Sequence, residues 1–230
     1  MKERCFGSGN ASAFREQLIL KLEQVTNMAS STSNSTDGIT IWEIDPLHSS
    51  VQFSVRHMMV SNVRGEFKIL SGSVRLDENN PANTTVDASI DARSVNTREP
   101  DRDKHLKSDD FLDTVHYPEI SYVSKKVERA PQGRFTVIGD LTIHGTTKEV
   151  ILAVEPLSAA VKDPWGNLRR GTSATARLNR QEFGLRWNQV LETGGVLVGN
   201  ELSVSIDVEL IEKEPESPVV PDESVVQVAG

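Results

Sequence analysis

Among its 230 residues the chain has a single cysteine, Cys5. An intramolecular disulfide is therefore excluded, and the fold must hold by packing and hydrogen bonding alone. Aromatic residues are also scarce, at 5%. No apolar stretch approaches the ~20 residues of a membrane-spanning helix. The opening Met1-Lys2-Glu3-Arg4-Cys5-Phe6-Gly7 lacks the apolar core of a secretory signal, and Leu18-Ile19-Leu20 is too short to supply one. A soluble, cytoplasmic protein is expected, or a periplasmic one if the start is misplaced; Met28 is an alternative start. The chain has no basic block, and its net charge is −8. Nucleic acid needs clustered Lys and Arg to neutralise phosphate, so it is a poor partner, and so is an anionic membrane surface.

Catalytic signatures are missing too. There is no Gly-x-Ser-x-Gly elbow, no phosphate-binding Gly-x-x-x-x-Gly-Lys-Ser/Thr loop and no dinucleotide fingerprint after a strand. Gly194-Gly195 precedes a strand, the wrong order for cradling phosphate. The histidines His48, His57, His105, His116 and His144 show neither the His-x-His nor the His-x-x-x-His spacing of a local zinc site. No metal and no cofactor is expected. Asp101, Asp103, His105, Asp109 and Asp110 form the densest acidic cluster. A carboxylate–imidazole pair there is capable of acid–base work, but Asp at a helix start is stabilised by the helix dipole without any chemistry.

What the chain does have is period-two alternation. Val51, Phe53 and Val55 alternate with Gln52, Ser54 and Arg56, the mark of a strand with one apolar face. The same pattern recurs in Val86, Ala88, Ile90 and Ala92, in Val150, Leu152 and Val154, and in Leu202, Val204, Ile206, Val208 and Leu210. Strands are expected near 39–45, 50–59, 64–77, 84–92, 119–128, 134–143, 147–156, 169–179 and 196–211. Within 64–77 the apolar phase shifts from Phe67 and Ile69 to Val74 and Leu76, which predicts a bulge near Leu70-Ser71 that bends the strand around a barrel. One helix is expected over 102–107 with Asp101 as its N-cap, forming a short plug over one barrel mouth. Residues 1–38 are read as a weakly helical or disordered extension, with an amphipathic 14–25, and 212–230 as a disordered acidic tail containing Pro215, Pro218 and Pro221.

The fold class is therefore all-β: an extended antiparallel barrel of about eight strands with a short helical segment near one end, spanning 39–211. Sheet-on-sheet packing is the competing architecture. Phe53, Val55, Phe67, Ile90, Leu141, Ile143, Leu152, Trp187 and Leu202 are candidates to face inward. Patterning alone leaves open whether they fill a core or line a ligand cavity.

Together these residues resemble the YceI-like family of polyisoprenoid-binding, lipocalin-like proteins. The resemblance rests on Trp42-x-Ile44-Asp45-x-x-His48-Ser49-x-Val51-x-Phe53-x-Val55-x-His57-Met58, then Ala88-x-Ile90-x-Ala92-x-Ser94-Val95-x-Thr97, then Arg102-Asp103-x-His105-Leu106-x-Ser108-x-Asp110-Phe111-Leu112-Asp113. It continues through Gly139-Asp140-Leu141-Thr142-Ile143-His144-Gly145-Thr146-Thr147-Lys148 and Asn179-Arg180-x-x-Phe183-Gly184-Leu185. It implies an internal tunnel for a long isoprenoid lipid, either a polyprenyl chain or a quinone tail, and a tendency to form homodimers. It implies a binding protein rather than an enzyme, with the polar positions His48, His57, Arg102, Asp103, His105 and Arg180 either reaching a head group or tying the helical segment to the barrel. Two rivals remain: an enzyme using His105 and Asp103 on an apolar substrate, and a filled barrel with a structural or interaction role.

Overall fold

The computed structural model describes residues 38–192 and 194–213. The expected amphipathic 14–25, the polar linker after it and the tail beyond Lys213 lie outside the described residues. The strands are β1 (Ile39–Ile44), β2 (Ser50–His57), β3 (Ser61–Asp77), β4 (Thr85–Asn96), β5 (Glu119–Arg129), β6 (Phe135–Ile143), β7 (Thr146–Val154), β8 (Val161–Lys162), β9 (Leu168–Asn179) and β10 (Val198–Lys213), with one helix, α1 (Pro100–Lys107).

Consecutive strands pair antiparallel from β2 through β7, β7 meets β9, and β9 pairs along its length with β10. The circle closes because β10 also pairs with β1 and β2. Trp42 stands opposite Glu212 and Val74, while Val51 stands opposite Ile206 and Phe67. So β1 and β2 lie end to end as one barrel strand, interrupted at Asp45–Ser49. The result is a closed eight-strand antiparallel barrel with one short helix; closure removes the sheet edges. The sheet-on-sheet alternative is set aside by this closure.

The phase shift in β3 is a bulge. The β3–β4 register slips between Ile69 and Ser71, so Val74 returns to the inner face that Phe67 and Ile69 occupy. A second slip in β5, between Ser124 and Lys126, lets Tyr122 and Val127 both point inward despite their odd separation. The β7–β9 seam is the least paired in the barrel wall, with Ala153 opposite Thr175 and Val154 opposite Ala174 only. Two-residue strand β8 went unnoticed in the sequence. It extends β9 into a hairpin past the barrel rim.

Helix α1 begins at Pro100, a residue suited to the first helical position. Its cap is Glu99, whose carboxylate accepts from the backbone N–H groups of Asp101 and Arg102. The expectation of Asp101 as N-cap is thus corrected: proline at the first position moves the start upstream, and Asp101 lies in the first turn.

Turns follow local chemistry. The β6–β7 hairpin turns on His144 and Gly145, with φ of 51° and 68°. The β2–β3 turn places Met58 and Met59 at φ of 50° and 59°, where a side chain is strained. Replacing Met59 by Gly is expected to raise stability by about 1 kcal/mol, seen as a higher urea midpoint at unchanged slope.

Candidate functional site

The inner faces do not meet across the barrel. They enclose a cavity of about 620 Å³, within the span of roughly 300–1,000 Å³ usual for small-molecule sites. Its wall comes from every barrel strand at the apolar positions of the alternation. Phe53, Val55, Phe67, Ile90, Leu141, Ile143, Leu152 and Leu202 all line it, as their phase predicts. Phe53 and Phe67 pack with ring centroids 5.4 Å apart at 38°. Further lining positions share that phase: Ala88, Val204 and Ile206 lie within alternations read from the sequence but outside its inward-facing candidates, and Tyr122, Val137 and Ala176 lie in expected strands whose alternation was not traced.

The two ends differ. At one end Leu106 of α1, Phe111, Leu112, Leu185 and Val198 close the barrel, and Phe111, Leu112 and Leu185 are buried. The helical plug is where the sequence put it. At the other end the lining includes the exposed Glu78, Arg129, Gly133 and Pro156, so the cavity opens to solvent there. Arg170 sits inside this rim, ion-paired to Glu78, donating to the Ser158 carbonyl at 2.9 Å and lying over the Trp42 ring at 5.6 Å. Asp77 at the rim is spent on structure: its carboxylate accepts from the N–H groups of Asn79 and Asn80 and from Asn83 Nδ2, and these bonds hold its pKa below the usual carboxylate value.

Arg180 is the polar residue of the closed end and lines the cavity at 4% exposure. Its guanidinium donates to the carbonyls of Leu185 (2.6 Å), Trp187 (2.8 Å), Gly199 (2.9 Å) and Val198 (3.4 Å), and to Asn200 Oδ1 (3.4 Å). All of its acceptors are neutral, and burial lowers its pKa. Arg180 therefore ties the 185–200 segment across the barrel end. Tyr122 donates to the Val137 carbonyl at 3.2 Å, and burial, with Asp140 nearby, raises its pKa to about 12, so it presents a neutral surface to the cavity.

Four residues expected at the ligand are not in the cavity wall. Trp187 is not in the cavity wall; it packs on the outside of the plug against His105 (4.7 Å) and Phe111 (5.2 Å). It follows a tight turn rather than a strand, so period-two phase does not apply to it. His105 bonds Asp110 at the surface, and Arg102 donates to Thr97 Oγ1 and to the Thr97 carbonyl. His57 ends β2 outside the cavity wall. Asp103 accepts from Thr97, so it is not joined to His105, and the acid–base pair suspected from the sequence is split. Arg102 and Asp103 both bond Thr97, the residue after β4, and so staple α1 to that strand end.

A separate charged network stands on the outer wall near the open end. Arg169 donates to Asp163 (2.7 Å), Asp45 (2.7 Å) and Glu209 (2.5 Å), and His48 bonds Asp45 at 2.7 Å. Asp45, His48 and Glu209 bring ligand atoms within 4.8 Å of one another, as a metal would ask. The Arg169 guanidinium already fills that place, bonded to both carboxylates. Burial alone would raise the Asp45 pKa, but the bonds from Arg169, His48 and the Leu47 N–H outweigh it and bring the value to about 2. The sign follows from that depression. The contribution of Asp45 is present above its unfolded value near 3.8 and is lost as pH falls through about 2. Stability is expected to drop by on the order of 1–2 kcal/mol over this window; Arg169→Met should flatten that part of a urea-midpoint profile against pH.

An antiparallel barrel enclosing an apolar, one-mouthed cavity defines the class: a lipocalin-like barrel. The comparisons supply the family. Residues 42–210 match the YceI-like domain, and the chain belongs to that family. It is 37% identical over 172 residues to a UPF0312 protein of Staphylococcus aureus (strain USA300), covering 74% of this chain and 97% of the relative. Among solved structures it is similar to BcnA of Burkholderia cenocepacia, with a TM-score of 0.63 at 20% identity, covering 72% of this chain and 98% of that one. It is also similar to a polyisoprenoid binding domain from Saccharophagus degradans implicated in plant cell wall breakdown, with a TM-score of 0.55 at 18% identity, covering 75% and 98%. At these identities the two structures speak to the fold.

Proposed function

We propose that this protein binds a long isoprenoid lipid or a similar amphiphile, such as a polyprenyl chain or a quinone tail, within the barrel, and sequesters or carries it. The observation that carries the reading is the apolar cavity of about 620 Å³, closed at one end and open at the other. A polyprenyl chain offers almost nothing to hydrogen-bond. Its affinity must come from apolar area removed from water, roughly 25 cal/mol per Å² before the cost of ordering the chain. A tube walled by Val, Ile, Leu, Phe and Ala suits that requirement. The polyisoprenoid-binding description of the Saccharophagus degradans relative agrees with it.

Binding is favoured over turnover because, among the described residues, the cavity wall pairs no carboxylate with an imidazole or another titrating base; its Arg170–Glu78 contact is an ion pair at the open rim, and a guanidinium does not give up its proton. The wall's ionisable groups are engaged in structure or stand at the open rim, and the His105–Asp110 pair is at the surface. The test is organic extraction of purified protein, followed by mass spectrometry of the extract. A stoichiometric prenyl lipid or quinone supports the reading and names the ligand. A blank extract from folded protein, repeated after incubation with candidate lipids, would refute it.

A further inference from the structure

At the open end the chain builds a feature that the cavity does not need. The β8–β9 hairpin carries Trp165 at its tip, 81% exposed, with Val161 (64%) and Leu168 (37%) along its arms. This exposure is held by design of the turn. Asp163 Oδ1 accepts from the N–H groups of Trp165 and Asn167, Oδ2 accepts from Asn167 Nδ2 and Arg169 Nε, and the Asp163 N–H donates to the Asn167 carbonyl. Gly166, at φ of 100°, permits the bend. Arg169 then fastens the hairpin base to Asp45, just past β1, and to Glu209 on β10. The same link holds the 45–49 excursion, which exposes Leu47 at 88%.

The position is specific. Arg170 and Thr172, on the same strand, line the cavity, so Trp165 stands at most ~17 Å along the chain from the rim. Lys162 is exposed on the hairpin itself, and Arg129, at the end of β5 three strands away, is exposed on the same rim; neither has an ion pair among the described residues. An exposed indole on a hydrogen-bonded hairpin, with apolar neighbours, an adjacent Lys and an Arg on the same rim, is the chemistry of the membrane–water interface. There the ring lies among head groups and the cations meet phosphate. A carrier of a water-insoluble chain also needs its mouth at the bilayer, since crossing water exposes the apolar area that binding is meant to hide.

We propose that the open end is a membrane-docking surface, with the Trp165 hairpin seated in the head-group layer of a bilayer so that the lipid passes directly between bilayer and cavity. This rests on the lipid-carrying reading above. The net charge of −8 opposes wholesale attraction to anionic lipid, so docking depends on the hairpin and the local cations rather than on the overall field.

The test uses the full chain with vesicles of phosphatidylcholine, with and without phosphatidylglycerol, and follows co-sedimentation and tryptophan emission. Trp42 is buried and Trp187 is half-buried in ring contacts, so a blue shift on vesicles reports Trp165. The parent protein should co-sediment and shift. Trp165→Ala should lower vesicle partitioning ~tenfold or more, while taking up a detergent-dispersed apolar fluorophore as the parent does. A parent that takes up the fluorophore yet ignores vesicles of both compositions overturns docking alone, and so does a Trp165→Ala variant that partitions like the parent. A parent that takes up no fluorophore overturns the lipid-carrying reading, and docking falls with it.

Discussion

An Ala176→Phe variant should fold as stably as the parent and bind long apolar chains on the order of 70-fold more weakly, by the conversion that follows. Ala176 lies on β9 opposite Val204, and its methyl faces the cavity. In a packed core, adding a ring forces neighbours off their rotamers and costs about 1–3 kcal/mol. Over the cavity the ring meets open space and adds buried apolar area instead. The ligand loses what the ring gains. If ~100 Å² of contact is displaced, the loss is about 2.5 kcal/mol at 25 cal/mol per Å², or roughly 70-fold in affinity. The measurement pairs a urea denaturation curve with titration of an apolar fluorophore. A clear loss of stability, with no change in uptake, would mean that the barrel is filled and that the apolar faces are an ordinary core.

Arg180→Ala is the most destabilising single change expected. It removes all five N–H donors of the guanidinium and takes away the bonds it gives the carbonyls of Leu185, Trp187 and Gly199 at the barrel end, while the Val198 carbonyl keeps its bond from Asn188 Nδ2. Leaving buried acceptors unpaired costs about 1–3 kcal/mol each, so even partial rescue by water leaves a loss of about 3 kcal/mol. For a domain of this size that is roughly 6–12 °C in melting temperature. Arg180→Lys should recover only part, because an ammonium has three donors and no planar fork. A second readout separates this from general weakening: Arg186, exposed in the segment that Arg180 ties down, should become a fast tryptic site in the Ala variant before global unfolding.

The barrel strands were legible because each is half-buried, and half-burial writes itself as alternation. Phe53, Ile90, Leu152 and Leu202 faced the interior for that reason alone. The β3 bulge was legible as a change of parity between Ile69 and Val74. The site was legible only where strands make it. His57, Arg102 and His105 were carried to the ligand by their place in a motif and Trp187 by its apolar side chain, yet they sit in a strand end, a helix and a loop whose side-chain directions obey no period. Glu99 was missed as a cap because its partner N–H groups are fixed by Pro100. The Arg169 network was missed because Asp45 lies 124 residues away from it in the chain.

The sequence by itself determined that this chain makes a curled antiparallel sheet with one apolar face, a helical plug between two of its strands and a family likeness. Those properties are local: a side chain's face on a strand follows from its parity, whatever the rest of the chain does. Only the tertiary structure decided that the apolar faces enclose space, that Arg180 closes one end and that Trp165 stands beside the open mouth. Whether facing side chains meet or leave a cavity depends on barrel radius, and radius is set by the closing of β10 on β1 and β2, a contact between opposite ends of the chain that no local pattern encodes.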